Sequence, residues 1–284
     1  MENATDLIII DRDCTENDLG PTLERVSRSN GHLTILLVAA IPPFPVYSMS
    51  GTPSGAFSVP QHWQESWKST CEELEAKAIE MREILQRNGV SGDVKTACCE
   101  PAMLDEVVAR HAMVCDRAII SSRLREDEAI FRNVLYGLLF KSPVGVMLNS
   151  AQGLSGAGPR KIFVGWNTGL PAARALHRAL PMLRTAQEVV IAIFDPVMTE
   201  YADGEDPGAD VARWLSHHGC KVLVQQLPSG GKDIGEAMIL RAREVGADLI
   251  VMGAYGRSRL RQNILGGTTT RLIDQTELPV FMAH

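Results

Sequence analysis

No run of eighteen or more apolar residues occurs in this chain, so no transmembrane helix is expected. An excess of positive charge is also missing. Its 28 Lys and Arg stand against 34 Asp and Glu, a net charge of −6, and a pI near 5.7 disfavours a general nucleic-acid binder. The six cysteines (Cys14, Cys71, Cys98, Cys99, Cys115 and Cys220) contain no Cys-x-x-Cys spacing, and five of them fall in the first half. Neither a disulfide frame nor a zinc site is indicated. The opening Met1-Glu-Asn-Ala-Thr-Asp6 is acidic and leads directly into a strand pattern, without the marks of a signal peptide. These absences point to a cytoplasmic protein with buried thiols. No nucleophile elbow, no His-Glu-x-x-His and no paired carboxylates accompany the glycine-rich region, so dedicated catalysis is not expected.

What the chain does contain is one pattern written twice. At 284 residues and 45% apolar it can bury two ordinary cores. Residues 150–159, Ser-Ala-Gln-Gly-Leu-Ser-Gly-Ala-Gly-Pro, are small and aperiodic and read as a linker. Short apolar runs alternate with helical periodicity on both sides, giving domains at 1–149 and 160–284. The first half predicts strands near 6–10, 33–40, 92–98, 115–121 and 143–148, and the second predicts them near 161–166, 188–194, 221–227, 248–253 and 278–283. Near-continuous apolar strands suit a parallel sheet covered by helices on both faces. The fold class is therefore α/β, with two tandem, doubly wound, Rossmann-like domains. Charge divides unevenly. Residues 1–150 hold 14 basic and 21 acidic groups, whereas 151–284 hold 14 and 13.

The richest stretch lies near the end. After the strand-length run Ala247-Asp-Leu-Ile-Val-Met252 come Gly253, Gly256, Gly266, Gly267, Thr268 and Thr269. Glycine lets the backbone approach a ligand closely, and the free N–H groups of a helix start favour an anion. Phosphate binding and simple strand–helix packing are both open readings of these residues. In a doubly wound sheet ligands sit beyond the carboxyl ends of the strands, at the point where strand order reverses. Asn167 ends the first strand of the second half, where it could meet a ribose or base, or cap the following helix.

These residues resemble the universal stress protein family, whose nucleotide-binding members carry Gly-x2-Gly-x9-Gly-Ser/Thr after the fourth strand. Gly253, Gly256 and Gly266 keep that spacing, and the final Leu-Pro-Val-Phe-Met-Ala-His also fits. The first half resembles a degenerate copy. The resemblance implies five-stranded parallel sheets, an adenine nucleotide such as ATP (with Mg as a possible companion), dimerisation through the last strand, and tandem halves packed like such a dimer. By position it implies that Asn167 meets ribose and base, and that Ile193 offers backbone to adenine. Met252, Gly253 and Gly256 would line the nucleotide, and Gly266, Gly267, Thr268 and Thr269 would meet phosphate. Two departures stand out: Asn167 replaces the usual Asp, and Gly267 replaces the Ser/Thr. The implied function is an ATP-binding stress-response module that forms a homodimer. A nucleotide-free scaffold and a slow ATP-hydrolysing enzyme are the alternatives.

Other motifs carry less. Ser229-Gly-Gly-Lys232 lacks the upstream glycine and following Ser/Thr of a P-loop, and reads as a turn into a helix. Arg257, Arg259 and Arg261 alternate, so at most one or two could reach a phosphate. His217 and His218 end a helix without metal-ligand partners at helical spacing. Pro42–Gln61, rich in Pro, Gly and Ser, could be a lid, a docking loop or a disordered connector.

Overall fold

A computed structural model describes residues 3–44, 59–150, 158–199, 204–255 and 267–284. Gly256, Gly266, the three alternating arginines, most of the 42–61 loop and most of the 150–159 stretch lie outside the described residues. The chain divides into two compact units, Asn3–Pro143 and Val144–His284.

The first unit runs β1 (Thr5–Ile10), α1 (Glu16–Arg28), β2 (His32–Ala40), α2 (Gln61–Arg87), β3 (Gly92–Cys99), α3 (Leu104–Ala112), β4 (Arg117–Ile120) and α4 (Glu128–Lys141). Its strands lie in the order β3-β2-β1-β4, all parallel. The aliphatic run Leu7–Ile10 is at most 3% exposed, because helices cover both faces of the sheet. The first helix starts at Glu16, ahead of Gly20-Pro21. The Asp18 carboxylate accepts hydrogen bonds from the Thr15 N–H and hydroxyl, both at 2.8 Å, and fixes the helix start there.

The second unit contains β5 (Gly145–Leu148), β6 (Lys161–Gly165), α5 (Leu170–Thr185), β7 (Glu188–Phe194), α6 (Ala209–His217), β8 (Val222–Leu227), α7 (Ile234–Glu244), β9 (Leu249–Gly253), α8 (Gly267–Asp274) and β10 (Val280–Ala283). Its strand order is β5-β10-β9-β6-β7-β8. All neighbours are parallel except β5, which runs antiparallel to β10, with Val280 opposite Leu148 and Phe281 opposite Met147. The last strand of the first repeat thus joins the sheet of the second unit. Those two strands are the final strands of the two repeats, and here they pair with each other.

The repeat is visible in one hydrogen-bonded device. In the first unit the Asp116 carboxylate accepts from the Thr5 N–H at 2.8 Å, and the Asp116 N–H returns a bond to the Thr5 carbonyl. In the second, Asp248 accepts from the Arg160 and Lys161 N–H groups at 2.8 Å, and its own N–H reaches the Lys161 carbonyl. Each aspartate stands just before a fourth strand and anchors the start of the first.

Candidate functional site

Strand order in the second unit reverses between β6 and β9. From β6 the chain steps outward to β7 and β8, then crosses back to β9 on the other side. Gly165 pairs in register with Met252, which brings the carboxyl ends of the two strands together. A cleft of about 550 Å³ opens there. Asn167, Met252, Gly253, Gly267, Thr268 and Thr269 all line it, although they come from three separate elements. Ile193 does not. Its side chain is 2% exposed within β7, and the next residue, Phe194, lines the cleft instead.

The glycines at this junction have different work to do. A Cβ on Gly253 would collide with the backbone at the start of α5, coming within 2.5 Å of the Pro171 carbonyl carbon. Close packing of α5 on β9 therefore requires Gly253, whatever occupies the cleft. Gly267 starts α8, where a Cβ would lie 2.8 Å from Asp233 Oδ2. Met238 lies over Gly165 and forms part of the cleft wall.

Asn167 does not cap the helix that follows. The N-cap of α5 is Gly169, without a side-chain hydrogen bond, and Asn167 itself is exposed at the cleft edge. Thr269 is buried, and its hydroxyl accepts from the Tyr255 N–H at 3.2 Å. Tyr255 has φ of +55°, an uncommon conformation for a non-glycine residue. The hydroxyl of Thr269 thus braces the turn leaving β9, while Thr268 lines the cleft one residue earlier.

The turn at Ser229-Gly-Gly-Lys232 does more than connect β8 to α7. It delivers Lys232 and Asp233 to the cleft. The Asp195 carboxylate, at the end of β7, accepts from the Ser229 N–H at 2.9 Å and holds the turn in place. Hydrogen bonds from the Ser229 hydroxyl and N–H keep the Asp195 carboxyl below its ordinary value. Asp233 caps α7, its Oδ1 accepting from the Gly235 and Glu236 N–H groups at 2.9 and 3.3 Å. A Cβ on Gly235 would lie 3.0 Å from the Thr268 Cα, so the starts of α7 and α8 meet closely. A turn signal in the sequence carries no information about which other helix start it will face.

Aromatic side chains are few in this protein: four Trp, four Tyr and seven Phe in 284 residues. Trp166, Phe194 and Tyr255 all line the cleft. Flat apolar walls beside a hydroxyl, an amide, a cation and a carboxylate suit a small ligand with a ring and a polar tail.

The corresponding turn of the first unit is built differently. Where the glycines stand in the second, Ser122–Glu126 form a 3-10 turn whose Leu124 is 2% exposed. The Asp127 carboxylate then caps α4, accepting from the Ile130 N–H at 3.0 Å. Asp11, at the end of β1, lies 3.9 Å from Arg123. Burial raises its pKa despite that arginine.

Fold and cleft together define a doubly wound α/β domain with its pocket at the switch point. Residues 159–284 match the universal stress protein family and constitute a domain of that family. Solved structures share the fold over nearly the whole chain. A universal stress protein from Archaeoglobus fulgidus superposes with a TM-score of 0.69 at 17% identity, covering 99% of this chain and 96% of its own. A putative universal stress protein from Pseudomonas aeruginosa gives a TM-score of 0.55 at 15% identity, over 98% and 92%. At these identities the likeness is one of fold. A universal stress protein in complex with cAMP covers 45% of this chain and 98% of its own, at 18% identity and a TM-score of 0.36. No curated protein matches the chain significantly. Among the described residues no helix is long and apolar enough to cross a membrane.

Proposed function

We propose that the second unit binds an adenine nucleotide in the cleft at the ends of β6 and β9, and that the protein is a nucleotide-responsive stress-response module of the cytoplasm. The observation that carries this reading is the convergence of Asn167, Met252, Gly253, Gly267, Thr268 and Thr269 on one 550 Å³ cleft at the switch point. Trp166 and Phe194 supply apolar surface for a base, and Asn167 supplies an amide for base or ribose. The start of α8 and Lys232 supply donors for phosphate. ATP is the nucleotide expected from the family resemblance, with Mg as its companion.

No base or nucleophile is assigned a role in this reading, so binding rather than turnover is its output. A homodimer belongs to the same reading, but it has to use a surface other than the β10 edge, which β5 covers. Nucleic acid and membrane are not among the proposed partners. Mass spectrometry of the freshly purified, denatured protein, followed by calorimetry with adenosine, AMP and ATP, tests the proposal. Release or titration of an adenine nucleotide is expected. Absence of binding by adenosine, AMP and ATP alike at millimolar concentration overturns it.

A further inference from the structure

Among the described residues that line the cleft, Asp233 carries a fixed negative charge that the fold does not need. Capping of α7 uses only Asp233 Oδ1. Ser or Asn would cap as well, so the capping role explains the side-chain oxygen but not its charge. The second oxygen, Oδ2, faces the start of α8. A Cβ on Gly267 would stand 2.8 Å from it, which also gives a reason for glycine where the family pattern has Ser or Thr. The position at which helix geometry would welcome a phosphate is therefore shared with a carboxylate belonging to the protein itself.

We propose that Asp233 sets the phosphate selectivity of this cleft. Its carboxylate makes the α8 end unfavourable for a polyphosphate tail, so the site takes an adenine nucleoside or monophosphate in preference to the triphosphate. The inference rests on the adenine-nucleotide reading and narrows its ligand class. Lys232 is the counterweight. It lines the same cleft and both residues are exposed, but its ammonium rides on a long, flexible stem, whereas Asp233 is held by two backbone hydrogen bonds. A positioned charge acts on a ligand more than a mobile one, because the mobile one must be ordered first.

The experiment is calorimetry with adenosine, AMP and ATP, in EDTA to keep divalent cations out, on the wild-type chain and on Asp233→Asn. Asparagine preserves the cap and removes the charge. The expected result is that the wild type favours adenosine or AMP over ATP. The variant should shift the ATP-to-adenosine affinity ratio toward ATP by about fivefold or more, the scale of interaction of two unit charges about 4 Å apart even in bulk water. Asp233→Ser, another capping residue, should shift the ratio the same way, and Lys232→Gln should shift it in the opposite direction. An unchanged ratio in a variant that still binds adenosine overturns the role of Asp233 and leaves the nucleotide site standing. Failure of every ligand to bind either protein overturns the nucleotide reading, and this inference with it.

Discussion

Gly267 and Asp233, 34 residues apart in sequence, occupy one corner of the cleft, with Asp233 Oδ2 sitting 2.8 Å from where a Gly267 side chain would begin. Their effects should be coupled. Gly267→Ser restores the hydroxyl of the family pattern but forces it against a carboxylate, so the single change is expected to leave ATP affinity unimproved. Combined with Asp233→Asn it should improve affinity by more than the two single effects added. A coupling of about 0.5 kcal/mol or more is the range for residues in contact. A double-mutant cycle read by calorimetry checks this, and strict additivity would count against the contact.

Gly253 should behave as a folding residue. A side chain there meets the backbone of Pro171 and Ala172, which cannot rotate away as a flexible side chain would. Gly253→Ala is expected to lower stability by about 1–3 kcal/mol, the usual range for overpacking. Urea denaturation of the variant measures it. Stability equal to wild type would show that α5 can move off β9 at little cost.

Asp6 gives the first unit a pH dependence. Burial pushes its pKa upward, but the charges and hydrogen bonds of Arg117 and Arg25 outweigh burial and leave it below the ordinary aspartate value. A carboxyl with a depressed folded pKa stabilises the protein above its unfolded pKa, and that contribution fades as pH falls through the folded value. Asp6→Asn should therefore cost about 2–4 kcal/mol near neutrality. This lies toward the low end for a broken buried pair, since the two arginines keep 17% and 20% exposure. The gap between variant and wild type should narrow below about pH 4. Denaturation midpoints measured from pH 3 to pH 7 test the sign, and a gap that widens in acid would reverse the argument.

One nucleotide per chain is the expected stoichiometry. In the first unit Leu124 fills the turn after β4, and the Asp127 carboxylate already accepts from the Ile130 N–H at the start of α4. Asp11 and the neighbouring Glu126 and Glu128 add further negative charge to that end. Titration at saturating nucleotide should end near one equivalent. Two equivalents would mean that the first unit binds as well.

Light scattering is expected to give a mass near twice the 31.0 kDa of the chain. Because β5 covers the β10 edge, Gly145→Ala should not dissociate such a dimer, although its new Cβ would run into the Phe281 ring and weaken the β5–β10 pair. A mass of one chain at every concentration removes the dimer from the proposal.

The sequence by itself determined the elements and their order. Short aliphatic runs such as Leu7–Ile10 and Leu249–Met252, bounded by turn residues, read as strands buried on both faces, and helical periodicity between them suits a parallel sheet. It also marked the strand ends that meet at the cleft, because Gly253 and Asn167 lie directly after apolar runs. Pairing of strands far apart in the chain had to wait for the tertiary structure. The final strand of the first repeat reads like any other apolar segment, and only packing places it antiparallel to β10. The same holds for Asp233. In sequence it closes a turn and caps a helix, as many aspartates do. That its second oxygen faces the start of α8 depends on how α7 and α8 meet, a contact between helix starts more than thirty residues apart that no local signal encodes.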